Sequence, residues 1–207
     1  MLSDTYKTIQ SQSHGLFKDK GSRFIARAYP VESVEEVKEI LAALRKEYHD
    51  ARHHCYAYRI GAGDANYRVN DDGEPANSAG KPILGQIQSH GLTNILIVVV
   101  RYFGGILLGV GGLINAYRSA AKDALEQALV VEKTFNCQVA IRFQYAVMND
   151  VMRLIKETKA EIINQEFAIG CKITVQIREG AAGGLISQLN RIESVEAEMV
   201  TLCIKKS

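Results

Sequence analysis

The sequence predicts two successive α+β domains, and three observations carry that prediction. The 207 residues are 47% apolar, a globular composition with length for one large domain or two modest ones. An uninterrupted β-branched run at residues 95–100, ILIVVV, leads through a glycine-rich stretch into a helical pattern. After residue 133 the texture changes to strand, helix, strand, strand, helix, strand, the βαββαβ order of a ferredoxin-like unit. The division is therefore set after residue 132, giving domains 1–132 and 133–207.

Taken in order, Val34, Val37, Leu41 and Leu44 share one face of a helix over 34–47. Ser33 and Glu36 have the spacing of a capping box at its start. Residues 51–60, ARHHCYAYRI, read as a strand, and Asn70 to Pro75 as a turn in which Gly73 supplies a positive φ. A short helix follows over 82–89, with Pro82 in its first turn and Gly91 after its end. Residues 95–100 have the pattern of a strand covered on both faces, and a helix is expected over 113–129. In the second domain, strands are expected over 135–144, 161–168, 172–179 and 195–204. Helices are expected over 150–158 and 184–192.

Charge and cysteine usage narrow the function classes. Lys and Arg number 25 against 23 Asp and Glu, a net +2. The balance is 16 against 15 up to residue 133 and 9 against 8 beyond it. No bulk basic field exists to hold nucleic acid, so any such contact needs a local patch. Cys55, Cys137, Cys171 and Cys203 form no CxxC pair and sit in apolar or β-like runs. The N-terminal MLSDTYK lacks a signal-peptide core, and a cytoplasmic location is expected. The window 95–117 carries Arg101 as its only charge, yet a central Arg costs about 2.5–3.5 kcal/mol in a membrane span. Five glycines also interrupt it, so no membrane partner is expected.

The sharpest motif is VVVRYFGG, residues 98–105. A cation closing a buried strand, followed by Gly104 and Gly105, stands where main-chain donors can approach a ligand. A helix start near Gly111 and Gly112 exposes unpaired N–H groups and a positive dipole end that suit phosphate or carboxylate. The alternative is that the glycines permit close packing and Arg101 pairs with an acid such as Asp71 or Asp72. No P-loop is present. The dinucleotide fingerprint lacks its third glycine, where Ile114 stands. In His53-His54-Cys55 only His53 and Cys55 share a strand face, and neither a metal set nor a catalytic triad can be completed. Asp71, Asp72 and Glu74 form a possible acidic cluster, with ordinary turn chemistry the favoured reading. Arg52, Arg59, Arg68, Lys81, Arg101 and Arg118, interleaved with Tyr56, Tyr58, Tyr67 and Tyr102, could build a stacking and phosphate-binding surface.

Four segments resemble the IMPACT family, in particular its bacterial YigZ-type members: SRFIA at 22–26, ARHHC at 51–55, DDGEPA at 71–76 running into AGKPIL at 79–84, and VVVRYFGGILLGVGG at 98–112. The resemblance implies a ribosomal protein S5 domain-2-like fold for the first domain. For the second it implies a ferredoxin-like fold similar to the last domain of elongation factor G. Eukaryotic relatives regulate translation by competing for the activator of a kinase that phosphorylates an initiation factor. They do so with an additional N-terminal domain that has no counterpart here, so the kinase-pathway role is not carried over.

The resulting expectation is a non-enzymatic, translation-associated protein that binds RNA or the ribosome through its first domain. Arg23, Arg52, His53, His54, Arg59, Lys81, Arg101, Tyr102, Gly104, Gly105, Gly111 and Gly112 are the candidate anion-binding residues. No catalytic residue, metal or cofactor is expected. The alternatives are a protein-interaction module in translational control or stress response, and an enzyme acting on a phosphorylated small molecule with Asp72 or Glu74 as acid and base.

Overall fold

The computed structural model describes residues 4–61, 66–167 and 170–200. Tyr6–Lys133 forms one compact unit, and the chain on either side of it forms the other. The expected division at residue 132 thus falls one residue later, and Thr5 groups with the second unit. The Phe135 N–H donating to the Asp4 carbonyl at 2.7 Å is one contact within that unit.

In the first unit five strands lie in the order β2 (Ser13–Asp19), β3 (Ser22–Pro30), β6 (Ile95–Tyr102), β4 (His53–Arg59), β5 (Tyr67–Asn70). All neighbours are antiparallel. β6 is central, and its residues from Ile95 to Arg101 are all buried. Its continuous apolar run has a plain cause: helices cover both faces. Ile95, Ile97 and Val99 pack with helices α2 (Gly80–Ser89) and α3 (Gly109–Glu126). Leu96, Val98 and Val100 pack with α1 (Val34–Glu47) through Val37 and Leu44.

The helix ends follow local chemistry. At α1 the Glu36 N–H donates to Ser33 Oγ at 3.2 Å, and the Glu36 carboxylate accepts from the Glu32 N–H at 2.9 Å. α2 begins at Gly80, ahead of the expected residue 82, because a remote carboxylate caps it (below). α3 begins at Gly109, four residues earlier than its glycine content suggests, and ends at Glu126. Its buried Leu113, Ala116, Tyr117, Ala120, Ala121 and Ala124 recur at helical spacing against the sheet.

Strands β1 (Thr5–Ile9), β2, β3, β5 and β7 (Val130–Thr134) are additions to the elements expected from the sequence. β1 and β7 pair as a two-stranded ribbon. β2 is an edge strand, and α3 guards it. The Leu16 N–H donates to the Asp123 carboxylate at 2.7 Å and Ser13 Oγ donates to the Ala124 carbonyl at 2.7 Å, which occupies groups an exposed edge would leave open.

In the second unit β8 (Asn136–Phe143), α4 (Met148–Glu157), β9 (Glu161–Phe167), β10 (Cys171–Arg178), α5 (Glu179–Leu189) and β11 (Val195–Val200) follow in order, with a 3₁₀ turn at Tyr145–Val147. The sheet order is β11-β8-β10-β9, all antiparallel. Val139, Ile141, Ile173 and Val175 meet Val151, Ile155, Leu185 and Leu189 in its core. α5 starts five residues before the expected 184: Ala182, Leu185 and Leu189 bury one stripe, and that outweighs the poor helix propensity of its glycines. Residue 168 and residues 201–204 of the expected strands, with Cys203, lie outside the described residues. Cys55, Cys137 and Cys171 are free and buried.

A Cβ at Gly104 would run into the backbone of Gly21 and Ser22, neither of which can yield as a side chain would. Gly104→Ala should therefore destabilise the first unit by about 1–3 kcal/mol, measured as a lowered urea midpoint at unchanged slope.

Candidate functional site

The turn over residues 71–75 organises this side of the first unit, and each of its carboxylates has a separate task. Asp71 Oδ1 accepts from the N–H groups of Ala79 and Gly80 at 3.0 and 2.8 Å, and its Oδ2 accepts from Asn77 N–H at 2.8 Å. Asp71 thereby satisfies donors at the start of α2, a place where negative charge is also favoured. Asp72 Oδ2 accepts from the His54 N–H at 2.7 Å and its Oδ1 pairs with Arg45 at 3.2 Å. Asp72 and Gly73 hold φ of +42° and +86°, the left-handed region that Asp tolerates and Gly enters freely. The three carboxylates of this turn do not assemble into one acidic site. Their side chains point to three different partners.

Glu74 is the third. Its Oε1 accepts from Arg101 Nη1 at 2.6 Å and from the Tyr117 hydroxyl at 2.8 Å. The Arg101 and Glu74 side chains are only 7% and 4% exposed. The Phe24 and Phe103 rings lie 5.5 and 5.7 Å from the guanidinium carbon. Cys55 Sγ completes the network, 2.9 Å from the Asp71 carbonyl and 3.3 Å from the Tyr117 hydroxyl. Burial pushes both the Cys55 thiol and the Tyr117 phenol far up, so both stay protonated and Cys55 is no thiolate nucleophile.

This corrects the central expectation about Arg101. The pleat puts residue 101 on the same face as Ile97 and Val99, beneath α3, where an isolated charge is too costly to leave unpaired. The pairing alternative names the right kind of partner and the wrong residue: the acid is Glu74. Since Glu74 Oε1 accepts both of these bonds inside the protein, it is held as a structural anion. Tyr117 is a residue that the sequence reading misses. Its signal is a tyrosine on the buried stripe of a helix, where the hydroxyl needs a partner.

The other candidates divide between two faces of the sheet. Register places His53 beside Arg101 on the α2–α3 side, where its Nδ1 donates to the Asp72 carbonyl at 2.8 Å. His54, Arg23 and Tyr102 lie on the α1 side. Arg23 stacks 5.0 Å over the Tyr102 ring, whose hydroxyl donates to Asp50 at 2.7 Å. Arg52 is exposed just before β4, and Arg59, partly buried, ends β4 opposite Tyr67. Tyr56 and Tyr58 are buried and stack on each other at 6.4 Å. The anticipated single surface of interleaved Arg and Tyr does not form, because alternate strand residues face opposite ways. Gly104 serves close packing. Gly105 has φ +87° with open space around it, as has Gly111, while Gly112 meets the Leu108 side chain.

A different pair of cations is open. Lys81 in the first turn of α2 and Arg118 on α3 line an open groove of ≈ 440 Å³ with Asn77, Pro82, Gln86 and Ile114. Both cations are exposed, and among the described residues neither makes an ion pair or side-chain hydrogen bond. Of the candidate anion-binding residues Lys81 reaches this groove, together with Arg118 from the wider set of basic residues that the sequence offers for a phosphate-binding surface. Arg118 joins it because α3 packs beside α2, a proximity that sequence spacing does not reveal. Among the described residues no group of three or more His, Cys, Asp and Glu is placed to hold a metal ion, and no described helix is long and apolar enough to cross a membrane.

Residues 20–125 match the family model described as the Impact N-terminal domain. The chain is 40% identical over 150 residues to the IMPACT family member YigZ of Escherichia coli, covering 72% of this chain and 74% of that one. It is 36% identical over 180 residues to an IMPACT family member of Haemophilus influenzae, covering 84% and 86%. A crystal structure of a hypothetical protein aligns over 99% of this chain and 100% of its own, with a TM-score of 0.73 and 30% identity.

Two outcomes follow from the buried groups. Glu74→Ala strands the Arg101 charge and should cost about 3–5 kcal/mol in equilibrium unfolding, whereas Glu74→Leu combined with Arg101→Met should recover most of that loss. Burial holds the His54 pKa below its ordinary value near 6.5, and Arg45 adds to that against the opposing pull of Asp72. The unfolded chain then takes up the proton first as pH falls. Stability from His54 is complete above pH of about 6.5 and is lost as pH drops through the folded value. Chemical unfolding across that range should show the loss in the native sequence and a flatter profile in His54→Gln.

Proposed function

Because the chain belongs to the IMPACT family, we propose that it is a translation-associated protein that performs no reaction of its own and contacts RNA or the ribosome through its Tyr6–Lys133 unit. The observation that carries this reading is the α2–α3 groove, where Lys81 and Arg118 stand exposed beside two side-chain amides, with no ion-pair partner among the described residues. Cations in that state attract phosphate without first breaking an internal ion pair. The link to translation rests on what the family resemblance implies. The S5 domain-2-like and ferredoxin-like descriptions of the two units, and a cytoplasmic location, belong to the same proposal. The strand order β11-β8-β10-β9 supports the second description.

A protein partner in translational control is the second reading, and one observation favours it. Phe103, Ile106, Leu107 and Val110 expose 52–82% of their surface in the segment between β6 and the first turn of α3. Apolar side chains so concentrated and so open commonly mark a contact surface.

The experiment is co-sedimentation with ribosomes at graded salt. Retention should weaken as salt rises and fall further in the Lys81→Ala/Arg118→Ala double variant, while Arg101→Lys, if folded, should lose stability without a comparable loss of retention. Salt-independent retention that survives both groove substitutions and nuclease treatment would instead establish the protein-partner reading.

A further inference from the structure

Resting on the nucleic-acid reading above, we infer that the α2–α3 groove holds the phosphodiester backbone of RNA and leaves its bases unread. Recognition of unpaired bases runs mainly through stacking on Tyr, Phe, Trp or His rings. The groove lining contains two cations, the Asn77 and Gln86 amides, Pro82 and Ile114, with no aromatic ring among them.

Several rings of this unit are also taken up elsewhere. Tyr56 and Tyr58 are buried against each other. Tyr117 and Phe24 meet edge to face inside the core at 5.1 Å. Tyr102 is occupied by Arg23 on one side and Asp50 at its hydroxyl. Phe103, Tyr67 and His90 are exposed, and His90 bonds the Gln86 carbonyl at 2.9 Å, but none of the three lines the groove.

Charge points the same way. The chain up to residue 133 carries only one net positive charge, 16 Lys and Arg against 15 Asp and Glu, so no broad field supplements Lys81 and Arg118. Two phosphate contacts release about two counterions, which for a single strand gives a slope of log affinity against log salt of about −1.4. Removing one cation should bring the slope to about −0.7, by the same amount for every base sequence.

Fluorescence anisotropy of the full chain with short labelled oligo(A), oligo(U) and oligo(C) RNAs, titrated at several salt concentrations, tests this. The expected result is affinities within about threefold of one another, equal to less than about 0.7 kcal/mol. Parallel salt slopes should become shallower in Lys81→Ala and Arg118→Ala and be restored in Lys81→Arg. Both positions are exposed, so an unchanged unfolding midpoint confirms that the variants remain folded. A preference of about tenfold or more for one base, or slopes untouched by the substitutions, overturns the inference. Loss of oligomer binding with ribosome co-sedimentation intact also overturns it and leaves the broader reading standing. Loss of both removes that reading as well.

Discussion

The first unit is arranged around one buried ion pair, Arg101 with Glu74, at 2.6 Å. A guanidinium under a helix demands an anion, and the anion comes from a turn that has no regular structure to hold it. Three carboxylates therefore fix that turn from different directions. Asp71 is drawn to the start of α2, Asp72 to β4 and Arg45, and Glu74 to Arg101 and the Tyr117 hydroxyl of α3. The ion pair thus ties β6, the turn and α3 together, and the start of α2 is bound to the same turn. Buried pairs are not strong sources of net stability, but each partner makes the other's loss expensive. The consequence is a specified position for two helices, and the groove between them is a product of that specification.

Parts of this are legible in the sequence and parts are not, for identifiable reasons. The ILIVVV run shows that the central strand is covered on both faces, because period-two alternation is absent where neither face meets water. β4 is visible through its aromatic content between polar ends, and the second unit's order through alternating buried positions. β1 and β2 carry no such signal, since their short runs mix Gly, Ser and Lys with apolar residues. β3 does alternate, with Phe24, Ala26 and Ala28 buried between Arg23, Ile25 and Arg27, and is a strand that the sequence reading misses. α3 and α5 both begin earlier than a reading of glycine as a helix breaker suggests, because their buried stripes outweigh it.

The candidate site shows the same division. The segments that point to this side of the unit are visible in the sequence, since Lys81, the 71–75 turn and the 98–112 stretch do converge there. Which cation is open is not. The same apolar run that identifies a covered strand also implies that residue 101, on its pleat, passes beneath a helix. Arg118 cannot be paired with Lys81 from sequence, because their approach depends on how α2 and α3 pack. The separation of labour is physical: Arg101 holds the scaffold from inside, and Lys81 with Arg118 presents charge outside.

That separation is tested most directly by side-chain NMR of the labelled protein titrated with a short RNA. The account predicts that the Lys81 Nζ and Arg118 Nε signals move with RNA concentration while the Arg101 Nε signal stays fixed. An Arg101 Nε signal that shifts with RNA, with Lys81 and Arg118 unmoved, would contradict it.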